Sequence, residues 1–376
     1  MRPKIAIIGA NYQYLPFYRQ TKALGYEIFS FARAMDDHPC WDLSDHYYDL
    51  AFKDKEKILE VCKENGVQGV TSFLLESALP VVYYVAEGLG SPCNSKECQA
   101  LTANKYTMRE QMRKYHLSIP AYKAIHSKDE DISDMPFPVI VKPADSGGSR
   151  GVSLVHNQEE LDYALSSAFD YSPNQTVLIE QFIEGREFSI ESLSCQGKHY
   201  ILQITDKVTT GAPHFVEVEH HQPAQLTSKQ KNDIEDLVLK MLDALKIENS
   251  AAHTEVKMDA NGIPYIIEMG PRMGGGYTAS DLVRLSTGYD FVKGMLEVAT
   301  GQRFEVPVFG EQKCAGVYFL TKDTQQKILP FIEHRDKYPF IVYADIWDDV
   351  RPVTCNSDRV GCFIYQSDVK IELEGR

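Results

Sequence analysis

The chain has no run of about 18 consecutive apolar residues, so no segment of it reads as a membrane-spanning helix. Its first residues, Met1-Arg-Pro-Lys-Ile-Ala-Ile-Ile-Gly-Ala10, hold too short an apolar run for a secretory signal and read as a first β-strand. Positive charge is in deficit: 39 Lys and Arg stand against 53 Asp and Glu, a formal charge of −14. That balance argues against a general nucleic-acid surface or an anionic-membrane surface. Any phosphate must be held locally, by a few lysines and backbone N–H groups. The eight cysteines form no Cys-x-x-Cys and read as reduced, mostly buried thiols of a cytoplasmic protein. No His-Glu-x-x-His occurs among the 11 histidines, which argues against a zinc site. Gly9-Ala10-Asn11 is not Gly-x-Gly-x-x-Gly, so a dinucleotide fingerprint is missing as well. Internal repeats and low-complexity stretches are also lacking.

What remains is a globular composition, 43% hydrophobic and 24% charged, over 376 residues, enough for two or three domains. Strand patterns at residues 4–10, 26–31 and 67–73 alternate with helical stretches ending near Leu24 and covering 58–65. That alternation predicts a small parallel sheet. Residues 91–96 punctuate the chain and mark a boundary. A helix is expected over 96–115, with Met108, Met112 and Tyr115 on one face. The next hundred or so residues read as strand-rich, at 139–142, 152–155, 177–181, 188–193 and 201–205. A helix over 229–246 buries Ile234, Leu237, Val238, Met241, Leu242 and Leu245, and Thr227 with Gln230 forms its capping box. Beyond residue 301 short apolar strands alternate with charged loops, as in a small α+β unit.

The most informative stretch runs His253-Thr-Glu-Val-Lys-Met-Asp-Ala-Asn-Gly-Ile-Pro-Tyr-Ile-Ile-Glu-Met-Gly-Pro-Arg272. Asn261-Gly262 is a strong hairpin signal. A two-residue turn there places Glu255 directly opposite Glu268, their Cβ atoms roughly 5 Å apart. Val256, Met258, Tyr265, Ile267 and Met269 then form the core face. Like charges directly opposite destabilise a sheet, and a cation between them removes the repulsion. Magnesium, which binds through one or two carboxylates plus substrate phosphates, suits such a pair. A solvated hairpin with both acids in water is the plainer alternative, and a bulge at the turn would separate the pair.

Other residues could carry chemistry. Ser146-Gly-Gly-Ser-Arg-Gly151 follows the apolar strand Pro138-Val-Ile-Val-Lys-Pro143, and a glycine-rich turn after a strand exposes N–H groups that bind phosphate oxygens. A plain hairpin turn would look similar, and the Gly-Lys-Ser/Thr ending of a P-loop is missing. Lys142 ends a strand that reads as buried, and it is either a snorkelling surface lysine or a phosphate partner. Lys105 lies in Asn104-Lys-Tyr-Thr-Met-Arg-Glu110 and is a solvated helical lysine by default. Glu180 and Glu187, in Thr176-Val-Leu-Ile-Glu-Gln-Phe-Ile-Glu-Gly-Arg-Glu187, are either salt-bridged surface acids or acceptors for an amino group and hydroxyls.

Taken together, Lys105, Val141-Lys-Pro143 with its glycine loop, Glu180…Glu187, and Glu255…Glu268 followed by Pro271-Arg272 resemble the ATP-grasp superfamily of carboxylate–amine or carboxylate–thiol ligases. The resemblance covers roughly residues 1–300. It implies an α/β (α+β) ATP-grasp fold: an N-terminal parallel α/β domain over 1–95, an ATP-grasp domain over 96–310 with a lid subdomain near 121–185, and a small C-terminal α+β subdomain over 311–376. It also implies roles. Lys105 and Lys142 would contact phosphates, and Ser146, Gly147, Gly148, Ser149 and Gly151 would close over them. Glu180 would take the adenine amino group, with Gln181, Phe182 and Ile183 at the ring edge, and Glu187 would take the ribose. Glu255 and Glu268 would hold magnesium, or manganese in its place. Arg272, Lys142 and Lys207 are the catalytic candidates. The implied reaction activates a carboxylate as an acyl phosphate, releases ADP, and lets an amine displace phosphate. Many members carry Asn where this chain has Gly270, so a second metal would lose a ligand.

Residues 204–223 are similar to the substrate region of the L-amino-acid ligase branch. There Glu217 would meet a substrate amino group, and His220, Arg272, Gly274 and Gly275 would line the pocket. The plainer readings are a solvated strand residue for Glu217 and a satisfied pair for His220-His221. Small-molecule carboxylate and amine substrates are expected as partners, with no nucleic acid or membrane, and a homodimer accords with the superfamily. The alternatives are a formate- or bicarbonate-activating enzyme and a nucleotide-binding regulator without turnover.

Overall fold

The computed structural model describes residues 2–33, 39–147, 150–212 and 214–373. The alternation at the N-terminus builds an all-parallel sheet from β1 (Lys4–Ile8), β2 (Glu27–Ala32), β3 (His46–Asp49) and β4 (Gly69–Thr71), in the order β3-β2-β1-β4. Ile5, Ala6, Ile7 and Ile8 are all buried, because helices cover both faces of a parallel sheet and its strands read as unbroken apolar runs. Tyr14, Phe17 and Tyr18 pack on one face with Val292 and Leu296, and Ile58, Val81 and Val85 pack on the other.

A second, antiparallel sheet joins β5 (Tyr122–Ile125), β6 (Val139–Pro143), β7 (Ser153–Val155) and β8 (Val177–Gln181), in the order β5-β8-β6-β7. The strand-rich reading omitted the helix Gln158–Asp170, whose Leu161 and Leu165 pack with Val139, Val141 and Ile179. The helix expected over 96–115 is two, Lys96–Leu101 and Lys105–Lys114. Asn104 leaves helical geometry and caps the second helix with its side chain on the Thr107 N–H. Tyr115, expected beside Met108 and Met112, is exposed.

The third sheet positions the site. β9 (Arg186–Cys195), β10 (Lys198–Thr209), β11 (Glu217–Gln222), β12 (Ser250–Met258), β13 (Pro264–Gly270), β14 (Cys314–Leu320), β15 (Ile341–Ile346) and β16 (Gly361–Ser367) run in the order β13-β12-β9-β10-β11-β14-β16-β15. The tail therefore extends the central sheet directly, through β14 on β11. Helix Ser228–Ala244 carries the expected Thr227–Gln230 capping box and buries Ile234, Leu237, Val238, Met241 and Leu242 against the sheet.

The β12–β13 hairpin reaches the expected pairing by another route. Met258 pairs with Pro264, and the Asp259 N–H meets the Ile263 carbonyl, so the connecting loop has three residues, with Gly262 at φ 78°. Three-residue loops put glycine at such a left-handed position. The longer loop shifts the register by one. Ile267 then bulges out of β13 between the Val256–Ile266 and Glu255–Glu268 pairs and shifts it back. Glu255 thus faces Glu268. The bulge also flips the side-chain parity, so the core residue is Ile266, and Tyr265 and Ile267 are only partly buried.

Candidate active site

The large sheet lays out charged side chains in strand order. Glu268 stands on β13, Glu255 on β12, Glu187 on β9, Lys207 on β10, and Glu217 with His220 on β11. Register brings Lys207 opposite Glu187 on one side and His220 on the other. The Lys207 ammonium lies 2.8 Å from Glu187, 3.0 Å from Glu217 and 2.9 Å from Glu255, and its side chain is 3% exposed. Burial alone would lower its pKa, but the three carboxylates outweigh burial and hold it well above its ordinary value. Burial would raise Glu217, yet Lys207 and His220 hold that carboxyl well below the usual range. His220 stands 3.3 Å from Glu217 and bonds the Gly276 carbonyl at 3.0 Å.

Glu255 and Glu268 are each neutralised by a lysine from outside the pair. Lys207 meets Glu255, and Lys105 meets Glu268 at 2.9 Å while donating to the Ser146 carbonyl at 2.8 Å. Burial raises both carboxyls, but Lys207 for Glu255 and Lys105 for Glu268 leave both below their ordinary values. Their side chains stay 27% and 29% exposed, against 3% for Lys207 and 11% for Lys105, so the acids are the more open partners of each pair. Among the described residues no group of three or more His, Cys, Asp or Glu forms a metal cage. Two open carboxylates on one sheet face fit a hard divalent ion that takes its remaining oxygens from phosphates and water.

Behind this pair lies a network the sequence reading missed. Glu191, fully buried on β9, meets His253 Nδ1 at 2.6 Å and accepts from Thr278 Oγ1 at 2.9 Å and the Gly274 N–H at 3.1 Å. His253 Nε2 faces Glu255 at 3.8 Å. Burial would lower His253, but Glu191 raises it to about 9, so the ring is cationic at neutral pH. One carboxylate thereby ties the glycine loop after Arg272 to the strand that carries Glu255.

Arg272 meets Glu76 at 2.8 Å and the Met273 carbonyl at 3.1 Å, while its Nε is buried with no hydrogen-bond partner among the described residues. Glu76 comes from the loop after β4 and was not singled out, since nothing local distinguishes it. Gly275 has open space where a Cβ would stand. The phosphate-loop candidates Ser146, Gly147 and Gly151 lie between β6 and β7, with Gly147 near Glu76, whereas Gly148 and Ser149 lie outside the described residues.

Lys142 and Glu180 form a closed pair. Lys142 Nζ lies 2.7 Å from Glu180, and Arg109 takes both Glu180 oxygens at 2.7 and 3.1 Å. Burial would raise Glu180, but Arg109 and Lys142 bring it down to about 2. Burial lowers Lys142 despite Glu180. Arg109 also donates to the carbonyl that the Ile267 bulge frees. Gln181 ends β8, and past it Lys257 reaches the Ile183 carbonyl at 3.2 Å across the Phe182 ring.

Residues 135–281 match the ATP-grasp domain family. The chain contains an ATP-grasp domain. The L-amino acid ligase of Bacillus licheniformis superposes on this chain with a TM-score of 0.81 at 25% identity, over 98% of this chain and 94% of that one. Dapdiamide A synthase of Enterobacter agglomerans is 30% identical over 192 residues, 49% of this chain and 45% of the synthase. The uncharacterized protein y4rH of Sinorhizobium fredii is 27% identical over 256 residues, 64% of this chain and 50% of that protein. The chain thus spans about half the length of these curated relatives. No helix of the described residues is long and apolar enough to cross a membrane.

Proposed function

We propose that the protein is an ADP-forming ligase joining a small carboxylic acid to an amine, with an amino acid as one substrate. The observation that carries this reading is the Glu255–Glu268 pair, more open than the Lys207 and Lys105 that neutralise it. ATP enters as a substrate, between the two antiparallel sheets. Magnesium held by Glu255 and Glu268 would offset phosphate charge and act as a Lewis acid. Lys105 is placed for a phosphate, since it already bridges the loop at Ser146 and the acid at Glu268. Lys142 reaches a phosphate when it exchanges its bond with Glu180. Glu187 presents a carboxylate to ribose hydroxyls, and Phe182 and Ile183 border the adenine.

The carboxylate substrate attacks the γ-phosphorus, ADP leaves, and an acyl phosphate forms. Arg272, with its Nε unpartnered, is the donor for charge on the transferring phosphoryl group or the substrate carboxylate. Gly275, with open space beside it, lets the acyl group approach the backbone, while Gly274 is held in place by its N–H bond to Glu191. Glu217, beside Lys207 and His220, stays ionised and meets the substrate amino group. The amine then displaces phosphate and gives the amide. The sheet of β5 to β8 serves as a lid over residues 121–185 that excludes water while the acyl phosphate exists. The divisions 1–95, 96–310 and 311–376 belong to the same proposal. Screening carboxylate and amine pairs for ADP and phosphate release tests it. Release that needs both substrates supports the reading, and formation of AMP overturns it.

A further inference from the structure

Following the sheet from β13 past β11 leads away from the charged cluster to a cavity of about 380 Å³, where aromatic rings share the wall with polar and charged side chains such as Asp348, Arg351 and Arg359. That size falls in the roughly 300–1,000 Å³ range of small-molecule sites. Three distant chain segments wall it. Tyr12 and Phe73 come from the N-terminal sheet's loops, Gly276 and Tyr277 from the glycine loop, and Phe319, Trp347 and Arg359 from the tail. The walls are fastened together: Tyr12 Oη bonds Asp345 at 3.2 Å, and the Glu217 N–H bonds Asn356 at 2.9 Å. Aromatic rings pair around it, Tyr12 with Trp347 at 5.8 Å and Tyr277 with Phe319 at 6.3 Å.

The cavity is also wired to the reaction centre. Arg359 lies over the Phe319 ring at 4.0 Å and reaches Glu217 at 3.4 Å, Glu217 meets Lys207, and Lys207 meets Glu255. Gly276, in its wall, directly follows Gly274 and Gly275. None of Lys105, Lys142, Glu180, Glu187, Glu255 or Glu268 lines it, so it is separate from the phosphate end of the cleft.

We infer that this cavity receives the flat apolar side chain of one of the two substrates, which makes an aromatic amino acid a preferred substrate class. Aromatic walls stack on a planar group and leave a small side chain unsupported, so discrimination rests on ring contact. The inference rests on the ligase reading, and two readouts separate them. The first is ADP release by the full chain with L-phenylalanine or L-tryptophan against L-alanine or L-serine, each offered with a panel of second substrates. Aromatic amino acids should show a KM at least tenfold lower, and Trp347→Ala should raise that KM about tenfold with little change for alanine. The second is quenching of tryptophan fluorescence by L-phenylalanine without turnover, which should disappear in Trp347→Phe. Turnover with equal KM for aromatic and small amino acids, unchanged in Trp347→Ala, overturns the cavity assignment and leaves the ligase reading standing. Saturable quenching lost in Trp347→Phe, with no ADP release from any pair, shows that the cavity binds an aromatic amino acid but overturns the ligase reading and with it the substrate role of that ligand.

Discussion

Glu255 faces Glu268 because two register shifts cancel: a three-residue loop moves β13 by one position, and the Ile267 bulge moves it back. The bulge does more than restore the pair. It turns Ile266 inward and releases the Ile267 carbonyl to Arg109, the residue that anchors Glu180. The metal-site candidates and the buried ion cluster at Glu180 are therefore joined through a single irregular residue.

Glu191 positions both His253 and Gly274, and His253 faces Glu255. Replacing Glu191 with Gln removes the charge that holds this arrangement. We expect the magnesium concentration for half-maximal rate to rise about 10–100-fold, the scale on which residues behind metal ligands act. Steady-state rates across a magnesium series measure it. A lowered melting temperature with an unchanged magnesium requirement would mean that Glu191 serves the fold alone.

Gly270 has a steric reason to be glycine. A Cβ there would stand 2.8 Å from Glu76 Oε1 and 3.2 Å from Arg272 Nε. Glu76 is a flexible side chain, 35% exposed, so it can yield, and the ion pair with Arg272 yields with it. Gly270→Ala should raise the KM of the carboxylate or amine substrate about tenfold, equivalent to ~1.4 kcal/mol, with a smaller change in stability. Adding Glu76→Ala should cost little more, since residues sharing one interaction are non-additive. Full additivity in that double-mutant cycle would contradict the coupling.

The acid cluster predicts a pH signature. Glu180 has its pKa lowered from 4.5 to about 2 in the folded chain. A lowered folded-state pKa contributes stability that is present above the unfolded value of 4.5 and is lost as pH falls toward 2. Glu180→Gln leaves Arg109 and Lys142 as buried, unpaired cations, which costs about 3–5 kcal/mol near neutrality. Urea midpoints of the wild type and Glu180→Gln should therefore differ widely at pH 7, and the gap should narrow progressively as pH falls from 4.5 toward 2. A gap that is constant with pH would show that the ionised pair is not what stabilises this region.

How far the sequence could be read depended on how local each interaction is. The Thr227–Gln230 box, the strand at Val177–Gln181 and the acid pair were legible, because each follows from near neighbours. The bulge was not, since it compensates a loop length that the Asn-Gly signal misstates. Arg109 is buried beside Met108 and Met112, and the partners that offset its burial, Glu180 and the Ile267 carbonyl, lie 71 and 158 residues away. Glu76 meets Arg272 from 196 residues earlier, with no motif of its own. Glu191 lay inside a correctly placed strand, where one acid among apolar residues was a signal not taken up. The tail read as a separate α+β unit because short strands do not announce which sheet they join.

The central claim is that a substrate carboxylate is phosphorylated before the amine attacks. The most direct test is to supply the carboxylic acid with both oxygens as ¹⁸O, together with ATP, magnesium and an amine that supports turnover, and to weigh the released phosphate. Transfer of one labelled oxygen into phosphate, with ADP as the nucleotide product and amide formed in equal amount, is the predicted result. Unlabelled phosphate, or label recovered in AMP, would contradict it.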